Sequence, residues 1–168
     1  MTQQFIDLHT SESDALFRYC FFRVSDREIA VDMVQEAFMK LWDVFVKDAA
    51  EIKNARALLF KIASNLVIDW YRKKKAVSLD TMLDNENSEQ FLRLDDESYE
   101  MMEILSDGKI ALQHISSLDP TYEHVVYLRF VEDLSPKEIA HIVGLSVNVV
   151  SVRITRGIQE LRKKYGIQ

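Results

Sequence analysis

The sequence predicts an all-α protein: two small helical domains joined by an acidic linker, the C-terminal one a helix-turn-helix. Three observations carry that prediction. Apolar residues recur at the 3.6-residue period in both flanks of the chain, and no run reads convincingly as a strand of a sheet. Glycine and proline are scarce, four and two in 168 residues, and both prolines directly follow a helix-capping Asp or Ser. Charge is segregated, with a net +1 over residues 1–76, −9 over 77–107 and +2 over 108–168. The total of −6 therefore conceals two weakly basic domains and one acidic segment.

In the first domain, residues 1–76, Phe17, Tyr19, Phe21 and Phe22 surround Cys20. This single cysteine can form no internal disulfide, and its apolar neighbours mark a buried, inert thiol. Ser25-Asp26-Arg27-Glu28 has the Ser-x-x-Glu form of a capping box with Ser25 as N-cap. The helix it opens carries Ala30, Val34, Ala37, Phe38, Leu41 and Phe45 on one stripe, with Asp32, Gln35, Glu36, Lys40 and Asp43 mainly off it. A third helix, from about Ala55 to Lys74, turns Leu59, Ile62, Ala63, Leu66 and Trp70 inward. Lys61, Asn65, Asp69 and Arg72 line its opposite side, which ends in the cluster Arg72-Lys73-Lys74-Lys75.

Residues 77–107 read as a solvated linker, because the first half has too little apolar surface to offset its ordering entropy. A helix start is expected from Tyr99, with Met102 and Leu105 on one side. The second domain, residues 108–168, is punctuated by caps. Asp119-Pro120 reads as N-cap plus first-turn proline, and Ser135-Pro136-Lys137-Glu138 as a full capping box. Gly144 ends that helix, and Ser146 caps a final one carrying Val150, Ile154, Ile158 and Leu161. The β-prone run from Val125 to Val131 lies between these caps and is expected to be helical.

Ala140, Gly144 and Val150 occupy the places where a helix-turn-helix needs a small residue, a turn glycine and an inward apolar residue. Asn148, Ser151, Val152, Thr155 and Arg156 would then face a major groove. An ordinary helical hairpin is the plain alternative, but the basic residues between Arg153 and Lys164 favour DNA, whose phosphates they would neutralise. On the third helix, Asn65 suits a base edge and the cations a backbone, with Trp70 and Tyr71 placed to stack on an unpaired base. A merely solvated face explains those residues equally well. Asp32, Gln35 and Glu36 beside Phe38 and Trp42 form an acidic face for which solvation is the default.

Enzyme classes fare poorly. His9, His114, His124 and His141 lack metal-ligand spacing, and the chain has neither a glycine-rich phosphate loop nor a nucleophile elbow. Asp95, Asp96 and Glu97 are adjacent and do not converge on one face of a regular element. No catalytic residue, cofactor or metal is therefore expected. The apolar runs are only a few residues long against the ~20 of a membrane span, and the N-terminus has neither a basic leader nor a signal core. The expectation is a cytoplasmic protein without membrane insertion.

Three segments together resemble a known family. Ala30 to Trp42 is similar to the core-polymerase-binding segment of bacterial sigma factors, whose usual form is near D-x-V-Q-E-x-F-x-x-x-W. Ala55 to Asp69 resembles the promoter −10 helix of the same family. Leu134 to Ala140 with Val150 to Leu161 resembles its −35-reading helix-turn-helix. The three matches occur in the family's order, and the length and two-domain layout point to the extracytoplasmic-function (ECF) group of the sigma-70 family. The resemblance implies a non-enzymatic promoter-specificity subunit that binds core RNA polymerase, directs it to a promoter and helps melt the −10 element. It implies polymerase contacts by Asp32, Gln35, Glu36 and Phe38. Lys61, Asn65, Arg72, Lys73 and Lys74 would meet the −10 element, with a flipped base held by the loop around Lys47 to Asn54. Asn148, Ser151, Val152, Thr155 and Arg156 would face the −35 element, and Arg153 a phosphate. An anti-sigma factor is the usual regulator in this family.

The chain also departs from the family pattern. Leu58 stands where Trp is common, Asn148 where Gly is frequent, and Ser151 and Val152 where Lys or Arg and Ser are frequent. Without Arg at the first of those two places, one bidentate guanine contact is missing. Two rival classes remain on sequence grounds: a stand-alone helix-turn-helix regulator, which has no need of the Asp32 to Trp42 segment, and a helical interaction module or anti-sigma-type adaptor.

Overall fold

The computed structural model of the protein describes residues 2–48, 52–81 and 108–166, which form seven α-helices and their turns. By its contacts the chain divides into two units, Met1–Arg93 and Leu94–Gln168. Most of the expected linker, with the helix start expected at Tyr99, lies outside the described residues.

In the first unit, α1 (Thr2–Val24), α2 (Arg27–Asp48) and α3 (Ala55–Thr81) each pack against the other two. Leu16, Tyr19 and Cys20 of α1, Ala30, Ala37 and Leu41 of α2, and Leu59, Phe60 and Ala63 of α3 are all buried in this unit. The alanines let the helix axes approach, while Tyr19 meets Phe60 edge-on at 5.5 Å. Burial pushes the Cys20 thiol up to about 12, which leaves it protonated and inert. A second aromatic cluster forms where Phe5 meets Trp42 at 4.9 Å and Phe45 at 5.8 Å.

The turn between α1 and α2 differs from the sequence expectation. Ser25 does not cap α2; it adopts the left-handed conformation, with φ +53°, and its amide donates to the Phe21 carbonyl at 2.8 Å. Asp26 is the capping residue instead, its Oδ1 accepting the Ile29 amide at 3.0 Å. In a turn this short the closing of α1 claims the first residue, so the cap moves to the next. Asn54 caps α3 by accepting the Ala57 amide at 2.9 Å. Arg56 Nε then reaches Glu12 at 2.7 Å, tying α3 to α1. The Tyr71 hydroxyl donates to the Arg23 carbonyl, and α3 continues past Lys74 to Thr81.

The second unit comprises α4 (Lys109–Ser116), α5 (Pro120–Phe130), α6 (Pro136–Val143) and α7 (Val147–Tyr165). Its caps are those the sequence predicts. Asp119 accepts the Thr121 amide, Ser135 and Glu138 satisfy each other's backbone amides, and Ser146 accepts the Val149 amide. The β-prone run is helical in α5, and Val125, Val126, Tyr127 and Leu128 are buried there. Gly144, at φ +69°, ends α6 in the left-handed conformation, the Leu145 amide donates to the Ala140 carbonyl at 3.1 Å, and α7 leaves at 105°. Ile139, Ala140 and Val150 are buried at that crossing. At the far end of α7, Tyr165 stacks on His114 of α4 at 3.6 Å. Among the described residues no single helix is long and apolar enough to cross a membrane.

Candidate nucleic-acid interface

With Val150 buried against α6, helical geometry turns Asn148, Ser151, Val152, Thr155 and Arg156 outward, and all five are exposed. Arg153 lies on the flank and is half-buried. Ser151 Oγ donates to the Val147 carbonyl at 2.9 Å and Thr155 Oγ1 to the Ser151 carbonyl at 3.0 Å, so both hydroxyls remain only as acceptors. The side chains of Asn148, Arg153 and Arg156 form no hydrogen bond or ion pair among the described residues. They border a concavity of about 430 Å³ between α7 and the start of α5, together with Tyr122, Val152 and Val149. Sequence reasoning passed over Val149. Its signal was its place beside the inward-facing Val150, which a helical wheel turns toward solvent.

On α3 the predicted line is present. Asn65, Asp69 and Arg72 are exposed and Lys61 is half-buried, over a rise of about 16 Å from Lys61 to Arg72. Ile68, also exposed, interrupts this line and was not anticipated. Asp69 pairs loosely with Arg72 at 3.5 Å. Lys73 is exposed, whereas the Lys74 ammonium sits 4.9 Å from the Trp70 ring centroid. The Tyr71 hydroxyl donates to the Arg23 carbonyl, its ring meets Trp70 edge-on at 4.9 Å, and both rings are half-buried. In the loop expected to hold a flipped base, residues 49–51 lie outside the described residues.

On α2, Asp32, Gln35 and Glu36 are exposed, and Glu36 pairs with Lys40 at 2.9 Å. Phe38 requires a correction. The resemblance puts it among the partner-facing residues, yet only 5% of it is exposed, and its ring packs 6.1 Å from Phe5 and 4.5 Å from His9. It shares the inward stripe of Ala30, Ala37 and Leu41, so it supports the face from beneath. The apolar part of the surface is supplied by Val31, Met39 and Val46, with Met39 70% exposed. Their spacing from Gln35 along the helix is the signal that reveals them.

Among the described residues no group of three or more His, Cys, Asp or Glu side chains is placed to hold a metal ion. What the arrangement offers is recognition chemistry. Two helical faces carry uncommitted amide and cationic groups, and a third carries carboxylates beside exposed apolar side chains.

Comparison with known proteins gives consistent matches. Residues 8–77 match the family described as Sigma-70 region 2, and residues 110–161 match Sigma-70, region 4. The chain is 29% identical over 168 residues to the ECF RNA polymerase sigma factor SigW of Bacillus subtilis, covering 95% of this chain and 88% of that protein. It is 26% identical over 153 residues to the RNA polymerase sigma factor SigV of the same organism, covering 91% and 86%. In fold it is similar to the sigma factor RpoE solved in complex with the anti-sigma factor NepR from Bartonella quintana. That match has a TM-score of 0.72 and 20% identity, and covers 99% of each chain.

Proposed function

Because the chain belongs to the sigma-70 family, in its ECF group, we propose a division of labour among its three exposed helical faces. Family membership itself assigns the coarse function: promoter-specific initiation of transcription with RNA polymerase, a regulatory role and not that of a classical enzyme. Residues 1–76 serve as region 2, residues 108–168 as region 4, and the acidic segment 77–107 tethers them. The α2 face binds core polymerase through Asp32, Gln35 and Glu36, with Phe38 holding that face in shape. The α3 face meets the −10 element through Lys61, Asn65, Arg72, Lys73 and Lys74 and helps melt it. The α7 face reads the −35 element through Asn148, Ser151, Val152, Thr155 and Arg156, while Arg153 takes a phosphate. An anti-sigma factor, the partner present in the similar RpoE structure, is the regulator we extend to this chain. The site of action is the cytoplasm.

The observation that carries this reading is the outward face of α7, where an amide and two guanidinium groups have no partner among the described residues. A surface of this kind is available to base edges and phosphates without first breaking an internal bond.

Transcription from a promoter library with purified core polymerase, with and without the full chain, tests it. The expected result is a discrete promoter set made only with the chain, with thymines near −10 becoming permanganate-reactive. Unchanged initiation would overturn the reading. The double variant Asp32→Ala with Gln35→Ala is expected to abolish core binding in a pull-down while its circular dichroism stays that of the parent. Both side chains are exposed, so the fold does not depend on them. Undiminished core binding would remove α2 from the polymerase interface.

A further inference from the structure

The first two turns of α7 leave three valines in the open. Val147, Val149 and Val152 are 44%, 40% and 48% exposed, while Val150 between them is fully buried. The core of the unit closes without them. Apolar side chains rimmed by polar and cationic groups mark a contact surface. Val149 and Val152 share their concavity with Asn148, Arg153 and Arg156.

The chemistry of this patch selects among base pairs. In the major groove the apolar group a base displays is the C5-methyl of thymine, whereas guanine presents O6 and N7 and needs donors. Donors are scarce over these turns. The Ser151 and Thr155 protons go to carbonyls of their own helix, and valine has none. The Asn148 amide keeps its hydrogen-bonding groups, and its natural bidentate partner is adenine N6 and N7. Arg156, one turn beyond Val152, is the first group on the outward face whose fork donates to guanine O6 and N7 together. Arg153 stands about 100° round the helix from Val152, on the flank suited to a phosphate.

We infer that α7 specifies A·T pairs through thymine methyl groups: Val149 and Val152 each pack on a C5-methyl, Asn148 takes an adenine, and guanine is selected only beneath Arg156. The inference rests on the assignment of α7 to the −35 element and adds the base chemistry read there.

The test uses the full chain assembled with core RNA polymerase, on promoters selected from a library randomised across the −35 element. The expected element is a short A·T run, with guanine confined to the end nearest Arg156. Each thymine of that element is then replaced by uracil, which removes the methyl and leaves every hydrogen-bonding group. At the positions facing Val149 and Val152 the substitution is expected to weaken binding about fourfold, the effect of one buried methyl. That loss should vanish in Val152→Ala at one position and in Val149→Ala at the other. Both valines are surface residues, and unchanged melting curves verify that each variant folds. Guanine selected opposite the first two turns, or uracil equivalent to thymine throughout, would overturn the inference and leave the −35 assignment standing. A library from which the holoenzyme enriches no element would remove the assignment and the inference together.

Discussion

Gly157 shows how much one missing methyl group can decide. It is buried inside α7, and an added Cβ would lie 2.6 Å from Val126 Cγ2 and 3.2 Å from Tyr122 Cβ. In an exposed helix interior, Gly→Ala gains about 1 kcal/mol. Here overpacking prevails, and Gly157→Ala is predicted to destabilise the C-terminal unit by about 1–3 kcal/mol, read as a lowered Tm. A raised Tm would mean that α7 does not press on α5 as closely as the geometry shows. Asp119 gives a pH dependence of definite sign. Hydrogen bonding from the Thr121 side chain and backbone holds its carboxyl below the ordinary value of 3.8. A depressed carboxylate stabilises the fold above its unfolded pKa, so its contribution is full at neutral pH and declines as pH falls through 3.8 toward the lower folded value. The protection of the Thr121 amide, its exchange rate relative to the intrinsic rate at each pH, should fall as pH is lowered across that window in the parent, and Asp119→Ala should show little protection at any pH.

At the scale of the element, the local signals were legible where one helix end stood alone. Asp119, Ser135 and Ser146 cap as the sequence indicates, because a cap involves only a side chain and backbone amides two or three residues ahead. Ser135→Ala should cost about 1 kcal/mol of unfolding free energy, measured by denaturant titration, since it removes the hydroxyl that the Glu138 amide uses. The α1–α2 turn was not legible in this way, because two helix ends compete for Ser25 and Asp26 and the left-handed closure of α1 prevails. Helix faces show the same division. Periodicity placed Asn65 and Arg72 on one side of α3 and Thr155 and Arg156 on one side of α7. It did not reveal that Phe5 and His9 cover Phe38, or that Met39 beside it is bare. Those outcomes depend on a helix thirty residues away in sequence.

Across the whole molecule, charge runs from a net +1 over residues 1–76 through −9 over 77–107 to +2 over 108–168. At this scale the electrostatics predict that the free chain binds nonspecific DNA weakly, its phosphates being repelled by the acidic segment. Replacing the carboxylates of residues 77–107 by Asn and Gln should raise nonspecific DNA affinity at low salt, with the gain fading as salt screens it. Fluorescence anisotropy across a salt series measures both trends, and unchanged affinity at low salt would show that the charge of residues 77–107 is not felt at the helices proposed to face DNA. The sequence by itself determined the all-helical class, the basic-acidic-basic layout, the helix-turn-helix and the family resemblance, because period, composition and caps are written in neighbouring residues. Only the tertiary structure decided which side chains on those helices are free to recognise anything. It buried Phe38, exposed Val149 and Met39, spent the Ser151 and Thr155 protons and seated Gly157 on Val126. Exposure and donor availability depend on what packs or bonds against a residue in three dimensions, and sequence periodicity supplies the face of a helix without naming its neighbour.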